Sequence, residues 1–391
     1  MTTLQLVSPK DTSAVYDLWQ YCFADEERFA QWYFKDYYKP ENTLGVYDKG
    51  RLLAATQIIP YTIMLREQSF QAGYVVGVST SPDARRQGLG REMLAGALHL
   101  MRERGQYVSL LMPFEGEFYY RYHWQFTYFQ QRLSLPVSEL RGLAKPYGEL
   151  RLVEAEEHLP ELAAVYARFC QGLNGYVLRT AAGWARLLND TALQQGFCCV
   201  LYHEGVPEGY ALYTMRGKDI QVIEMAYSHY QARCGLLDYF YGHRSHCQNF
   251  SWAAPADDSL PYELPKSKDV LTLYPYLMLR VVDAQQALLQ LAYPKTHQLT
   301  IRLQLRDELA EWNDGVFTLT VTDGRAQIER QPKDSQWDIQ MDVGTLSLFL
   351  SGSADCRQLI WRGDILARDE AILEKWCSLW PRQNNWINED Y

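Results

Sequence analysis

Hydrophobic residues change period along the chain, and each change predicts an element. Val75-Val76-Gly77-Val78-Ser79-Thr80 is rich in β-branched residues and reads as a strand. After a polar turn, Leu89, Met93, Leu94, Ala97, Leu98 and Met101 recur at helical spacing, up to a stop at Gly105. Residues 107–112 form a second short apolar run. Strand, helix and strand in that order predict a βαβ unit with a parallel pair. Upstream, Ser8-Pro9 predicts a helix start with Ser8 as its N-cap and Val15, Leu18 and Phe23 among its apolar positions. Residues 43–47 and 52–59 flank Asp48-Lys49-Gly50, a hairpin signal, and a further strand pair is expected at 62–65 and 70–80. A last β segment, 126–135, stops before Pro136.

Residues 150–282 repeat this broad pattern, with a helix over 159–170 and strands at 197–203, 209–215 and 222–227. After the last strand comes Tyr230-Gln-Ala-Arg-Cys-Gly-Leu-Leu, with one glycine where the first unit has an Arg-x-x-Gly-x-Gly loop; this predicts a degenerate copy. From Asp283 onward, amphipathic β runs at 299–305 and 316–321 are bounded by Asn313-Asp314-Gly315 and Asp323-Gly324. A β run at 339–343, a helical stretch at 346–350 before Gly352, and a closing helix over 367–376 complete an α+β pattern. The expected organisation is three domains, 1–145, 146–282 and 283–391.

The chain has 391 residues, enough for two or three domains, and is 47% hydrophobic with 14% aromatics. No run of 18 apolar residues predicts a membrane span, and no signal peptide is visible at the N-terminus. The formal charge of −9 disfavours nucleic acid as a partner and suits a cationic substrate. Eight scattered cysteines without a Cys-x-x-Cys suggest reduced thiols in a cytoplasmic protein, with neither a disulfide framework nor a zinc site. His243-Arg-Ser-His246 lacks a partner set for a metal, so none is expected.

The turn between the first predicted strand and helix carries the chemistry. In Arg85-Arg86-Gln87-Gly88-Leu89-Gly90, two glycines clear side chains from the backbone, and the first-turn N–H groups of the helix are unpaired. Those amides and the helix dipole favour a diphosphate, and Arg85 and Arg86 add charge-assisted bonds. The glycine spacing differs from that of the dinucleotide fingerprint, and the Gly-Lys-Ser/Thr ending of a P-loop is missing. The segment resembles the acetyl-CoA diphosphate loop of the GNAT superfamily of N-acyltransferases.

Together the three units resemble the Eis (enhanced intracellular survival) group of GNAT enzymes over essentially the whole chain. That resemblance implies an active GNAT domain, a degenerate second one, and a sterol-carrier-like C-terminal domain in a homo-oligomer, trimeric or hexameric. It implies acetyl-CoA as cofactor, with Val78 and Thr80 presenting backbone groups to the pantetheine arm and Arg85, Arg86, Gly88, Leu89 and Gly90 holding the diphosphate. Glu115-Gly116-Glu117-Phe118-Tyr119-Tyr120-Arg121 matches the family's Glu-Gly-x-x-Tyr-x-Arg pattern, which places Tyr119 as general acid. The terminal carboxylate, here on Tyr391, falls at the general-base position. Asp25 and Trp32 fall on the amine pocket, with Glu389 and Asp390 adding charge. Here the family often has Gly and Tyr in place of His123 and Trp124, and smaller or polar residues in place of Met112 and Phe114, so the acceptor cleft is expected to differ and aminoglycosides are doubtful substrates. The implied activity is acetylation of a cationic small-molecule amine. A protein-lysine acetyltransferase competes with it, as does a non-catalytic protein using the sterol-carrier-like domain to bind a ligand.

Overall fold

In the computed structural model, which describes residues 2–264, 267–332 and 334–389, the chain divides into two units. One comprises Met1–Thr127, Leu277–Gln383 and Glu389–Tyr391; the other comprises Tyr128–Tyr276 and Asn384–Asn388.

The first unit opens with β1 (Thr3–Leu6), α1 (Thr12–Phe23), α2 (Glu27–Asp36), β2 (Thr43–Asp48), β3 (Arg51–Leu65) and β4 (Gln68–Thr80). Ser8 makes no side-chain capping bond; Pro9–Asp11 form a 3-10 turn, and the helix starts only at Thr12. The hairpin at Asp48-Lys49-Gly50 forms with φ 48° at Lys49 and 82° at Gly50, the left-handed pair that a tight antiparallel turn requires. β3 is one strand where two were expected. Pro60 lies beyond Gln57, the last residue paired with β2, so its missing N–H costs that ladder nothing. α3 (Leu89–Glu103) buries all six predicted apolar positions. β5 (Val108–Leu111) then pairs parallel with β4, completing the βαβ unit, and is followed by α4 (Gly116–Tyr120) and β6 (Gln125–Pro136).

The second unit contains β7 (Glu149–Val153), α5 (Leu159–Phe169), β8 (Tyr176–Val177), α6 (Ala181–Leu193), β9 (Phe197–His203), β10 (Val206–Arg216), β11 (Asp219–Tyr227), α7 (Tyr230–Gly242), β12 (Asn249–Pro255) and α8 (Leu260–Glu263). β6, β12, β11, β10, β9 and β7 are neighbours in that order. Arg179 and Glu224 form a buried ion pair here, and Glu224 also accepts from the Tyr210 hydroxyl. The segment Asn384–Asn388 is threaded into the same unit: Asn174 donates to the Asn384 carbonyl at 2.8 Å, Trp386 donates to the Asn174 carbonyl at 2.9 Å, and Asn388 reaches the Ile223 carbonyl at 3.0 Å.

β13 (Leu271–Val281) returns the chain to the first unit, pairing antiparallel with β5. α9 (Ala284–Gln290), β14 (Leu299–Arg306), β15 (Gly315–Thr322), β16 (Arg325–Arg330), β17 (Ile339–Asp342), α10 (Val343–Ser351), α11 (Cys356–Arg362), β18 (Leu366–Ala367) and α12 (Glu370–Ser378) follow. They build a five-stranded sheet in the order β16-β15-β14-β17-β18. α12 starts later than the pattern suggested because Asp369 caps it, accepting from the amides of Ala371 and Ile372. One expectation is corrected: Cys356 and Cys377 are joined as a disulfide, their Cα atoms 5.7 Å apart. The two residues lie on α11 and α12, whose packing brings them together, a proximity that their spacing of 21 does not reveal. The other six cysteines form no disulfide.

Candidate active site

Strand β4 is the spine of the site. Its ladder with β3 pairs Ala55 with Ser79 and Gln57 with Val76, so Gly77 and Val78 together oppose the single residue Thr56. This is a β-bulge, which bends the strand and takes residues out of the ladder. Gly77 is the residue that permits it: φ is 64°, and a Cβ there would lie 2.2 Å from Cζ3 of Trp19. On its other side β4 pairs with β5 only over Ala72–Val75 against Val108–Leu111. Past that point β4 runs on to Thr80 without pairing to β5, whose last residue is Leu111, and the carboxyl ends of the strands are where open α/β sheets bind ligands.

The loop after β4 is held in one shape by side-chain bonds. Asp83 anchors it, accepting from Arg51 at 2.7 and 2.9 Å and from Ser81 at 2.5 Å. Those bonds hold its carboxyl well below the usual range. Arg86 stands at φ 64° and Gly88 at 82°. Gly88 caps α3, whose first internal bond runs from the Glu92 amide to the Gly88 carbonyl at 3.1 Å. A Cβ on Gly88 would meet nothing within 4 Å, so glycine there serves the backbone conformation and keeps the approach open. Arg85 is exposed, its Nε 3.4 Å from the Thr80 carbonyl and its guanidinium 5.9 Å from the Tyr21 ring.

Tyr119 is buried in a core formed with Val75, Leu94, Leu98, Leu111 and Trp124, and Val78 packs on that same core. Val78 also packs on a second core containing Leu89 and Met93. Gly90 touches the same neighbourhood, because a Cβ there would lie 3.0 Å from Phe118. Val78 on the strand, Tyr119 on its helix and the helix after the loop, through Leu94 and Leu98, therefore share one apolar core. Burial pushes the Tyr119 phenol up to about 12, so it keeps its proton throughout the working range.

Asp25 joins this cluster through a residue the sequence reading passed over. Trp19 Nε1 donates to Asp25 Oδ2 at 2.7 Å while its ring covers Gly77. Trp32 lies further out, packed on Phe29 and Tyr37 and linked to Trp19 through Phe29 and Tyr33. Glu389 is buried, and its carbonyl accepts from the Tyr74 hydroxyl on β4 at 3.3 Å. Asp390 and Tyr391 lie outside the described residues. A signal for Trp19 did exist, since a lone glycine inside a β-branched run marks a bulge or a close neighbour; which neighbour it would meet was not legible.

In the second unit the corresponding strand-to-helix junction is capped by a side chain. His229 caps α7 with its own ring, accepting from the Ala232 amide at 3.3 Å. The buried Arg233 is tied to Asp258 and Glu263.

Comparison with known proteins gives three domain matches. Residues 3–127 match an acetyltransferase (GNAT) domain, 175–281 a second acetyltransferase (GNAT) domain, and 284–388 a sterol carrier protein domain. N-acetyltransferase Eis of Mycobacterium tuberculosis is 26% identical over 310 residues, covering 76% of this chain and 75% of that protein. The chain is an Eis-like GNAT N-acetyltransferase. Its fold is shared in full with a probable N-acyltransferase from Enterococcus faecalis (TM-score 0.89, 20% identity, complete coverage of both chains). Eis1 from Mycobacterium abscessus superposes at a TM-score of 0.78 with 17% identity, again over both entire chains. The GNAT fold of this Eis-like chain implies use of acetyl-CoA. Among the described residues no helix is long and apolar enough to cross a membrane.

Proposed function

We propose that the chain transfers acetyl from acetyl-CoA to the amine of a cationic small molecule by direct attack on the thioester. The single observation carrying this reading is the apolar core that Tyr119 shares with the bulged strand at Val78 and with the helix that follows the glycine loop. The diphosphate sits on the amides of Gly88, Leu89 and Gly90, flanked by Arg85 and Arg86. The pantetheine arm runs along β4 at Val78 and Thr80, beyond the residues that β5 pairs. An amide freed by the bulge at Val78 hydrogen-bonds the developing oxyanion, a contribution on the order of 3 kcal/mol.

The attacking amine must first lose its proton. The carboxylate of Tyr391 takes it as general base, and Asp25, Trp32 and Asp390 line the pocket that orients the cation. Coenzyme A leaves as a thiolate, a group of pKa about 8.5. Tyr119, with its pKa near 12, stays protonated and donates to that sulfur as the bond breaks. The three domains lie at about 1–145, 146–282 and 283–391, the second being a degenerate copy of the first.

Tyr119→Phe is the test. Turnover should fall by about 10²-fold or more while acetyl-CoA still binds in calorimetry. Extending the chain by two residues past Tyr391 should likewise slow turnover without unfolding the protein. Full turnover in either variant removes the corresponding group from the mechanism. A screen of amines and lysine peptides, measuring coenzyme A release, separates the small-molecule reading from the peptide one.

A further inference from the structure

The turn after Tyr119 is held from a distant part of the chain. The amides of Tyr122 and Trp124 both donate to the Tyr119 carbonyl, at 3.0 and 3.2 Å. Between them His123 stands at φ 70°, an uncommon conformation for a residue with a side chain. Its ring explains how the turn is kept. Nε2 lies 3.1 Å from Oε2 of Glu308, and Nδ1 lies 3.5 Å from Oδ2 of Asp342. Both ring nitrogens thus face carboxylate oxygens, which accept only, so the doubly protonated imidazolium is the form that satisfies both. Asp342 is itself fixed, accepting from the Thr345 amide at 2.6 Å at the start of α10. Close behind, a Cβ on Gly344 would lie 3.1 Å from the His123 carbonyl. Next along the turn, Trp124 is fully buried, donates to Ser109 at 3.2 Å, and carries the guanidinium of Arg280 4.9 Å over its ring. Arg280 is in turn paired with the buried Asp307 at 2.5 Å.

We infer that His123 is a positioning residue whose imidazolium, bridging Glu308 and Asp342, holds the turn that aims the Tyr119 hydroxyl. The inference rests on Tyr119 being the acid. It gives the C-terminal part of the chain a task in catalysis: β17, α10 and the segment after β14 act as a clamp on the acid's turn. The charged groups facing His123 are Glu308, Asp342, Asp307 and Arg280. Burial opposes its charge, Asp342 favours it by hydrogen bond and by charge, Arg280 opposes and Asp307 favours it, and the balance lies above the ordinary 6.5. The bridge is therefore complete below 6.5 and is lost as pH rises through the higher folded-state value.

The experiment is the kcat profile between about pH 6 and 9, for wild type, His123→Asn, Glu308→Gln, Tyr119→Phe and the Tyr119→Phe/His123→Asn pair. Asparagine tolerates the left-handed backbone, so the turn retains its path. Wild-type kcat should fall on the alkaline side. His123→Asn should lower kcat on the order of tenfold, abolish that limb and leave the KM for acetyl-CoA unchanged. Glu308→Gln, altering a largely exposed carboxylate, should move the limb to lower pH; an unmoved limb overturns the inference even where His123→Asn fails to fold. The paired variant should be no slower than Tyr119→Phe alone, because the two act through one group, and multiplied losses overturn the idea. A folded His123→Asn enzyme with wild-type kcat and profile also ends it, while a slow Tyr119→Phe enzyme leaves the acid assignment standing. Undiminished turnover in Tyr119→Phe ends both.

Discussion

Alanine at Gly77 should destabilise the first unit more than alanine at any open glycine, and the structure says by how much. A Cβ at this position would lie 2.2 Å from Cζ3 and 2.7 Å from Cε3 of Trp19, far inside the roughly 3.5–4.0 Å of carbon–carbon contact. The indole has little room to retreat, because it stacks on Tyr33 with ring centroids 5.0 Å apart and is bonded to Asp25 at 2.7 Å. Forcing it aside costs about 1–3 kcal/mol. Holding alanine at positive φ adds about 1–2 kcal/mol. Gly88 supplies the control: its φ is 82°, and a Cβ there meets nothing within 4 Å. Gly88→Ala therefore carries only the backbone cost, and the gap between the two variants isolates the indole contact at about 1–3 kcal/mol. Urea unfolding without cofactor, followed by tryptophan fluorescence, measures both. Equal unfolding midpoints for the two variants, with equal m-values, would refute the packing of Trp19 under the bulge.

Arg179→Met should cost about 3–5 kcal/mol of second-unit stability, read as a lowered melting temperature, because it strands the buried Glu224 carboxylate. Adding Glu224→Gln should recover part of that loss. Arg85→Ala with Arg86→Ala should raise the KM for acetyl-CoA on the order of tenfold with little change in kcat, since both side chains act on binding. Thiol titration in denaturant without reductant should find six free thiols among the eight cysteines; eight would contradict the Cys356–Cys377 bond.

What could be read in the sequence was whatever rests on local periodicity. The stripe from Leu89 to Met101 is a face of one helix, and the parallel pair follows from a helix lying between two strands. Glycines with positive φ at turns, such as Gly50 and Gly324, announce themselves by their neighbours. Features set by distant contacts were not legible. The bulge depends on Trp19 covering Gly77, and α2, which carries Trp32, went unforeseen because its aromatic positions pack on one another and on α1. The uninterrupted β3 depends on where β2 stops pairing. The bridge from His123 to Glu308 and Asp342 joins parts of the chain that no spacing relates, although the departure at His123 was itself visible.

The end of the β4–β5 pairing at Val75 has an evolutionary consequence. On the proposed reading a guest lying along β4 is recognised by peptide groups that every residue possesses, whereas the Val78 side chain is constrained separately by the two cores it packs on. Selection then bears on shape, through the missing Cβ at Gly77 and the indole filling its place. On that reading the acceptor can vary while the backbone path that meets the cofactor stays unchanged.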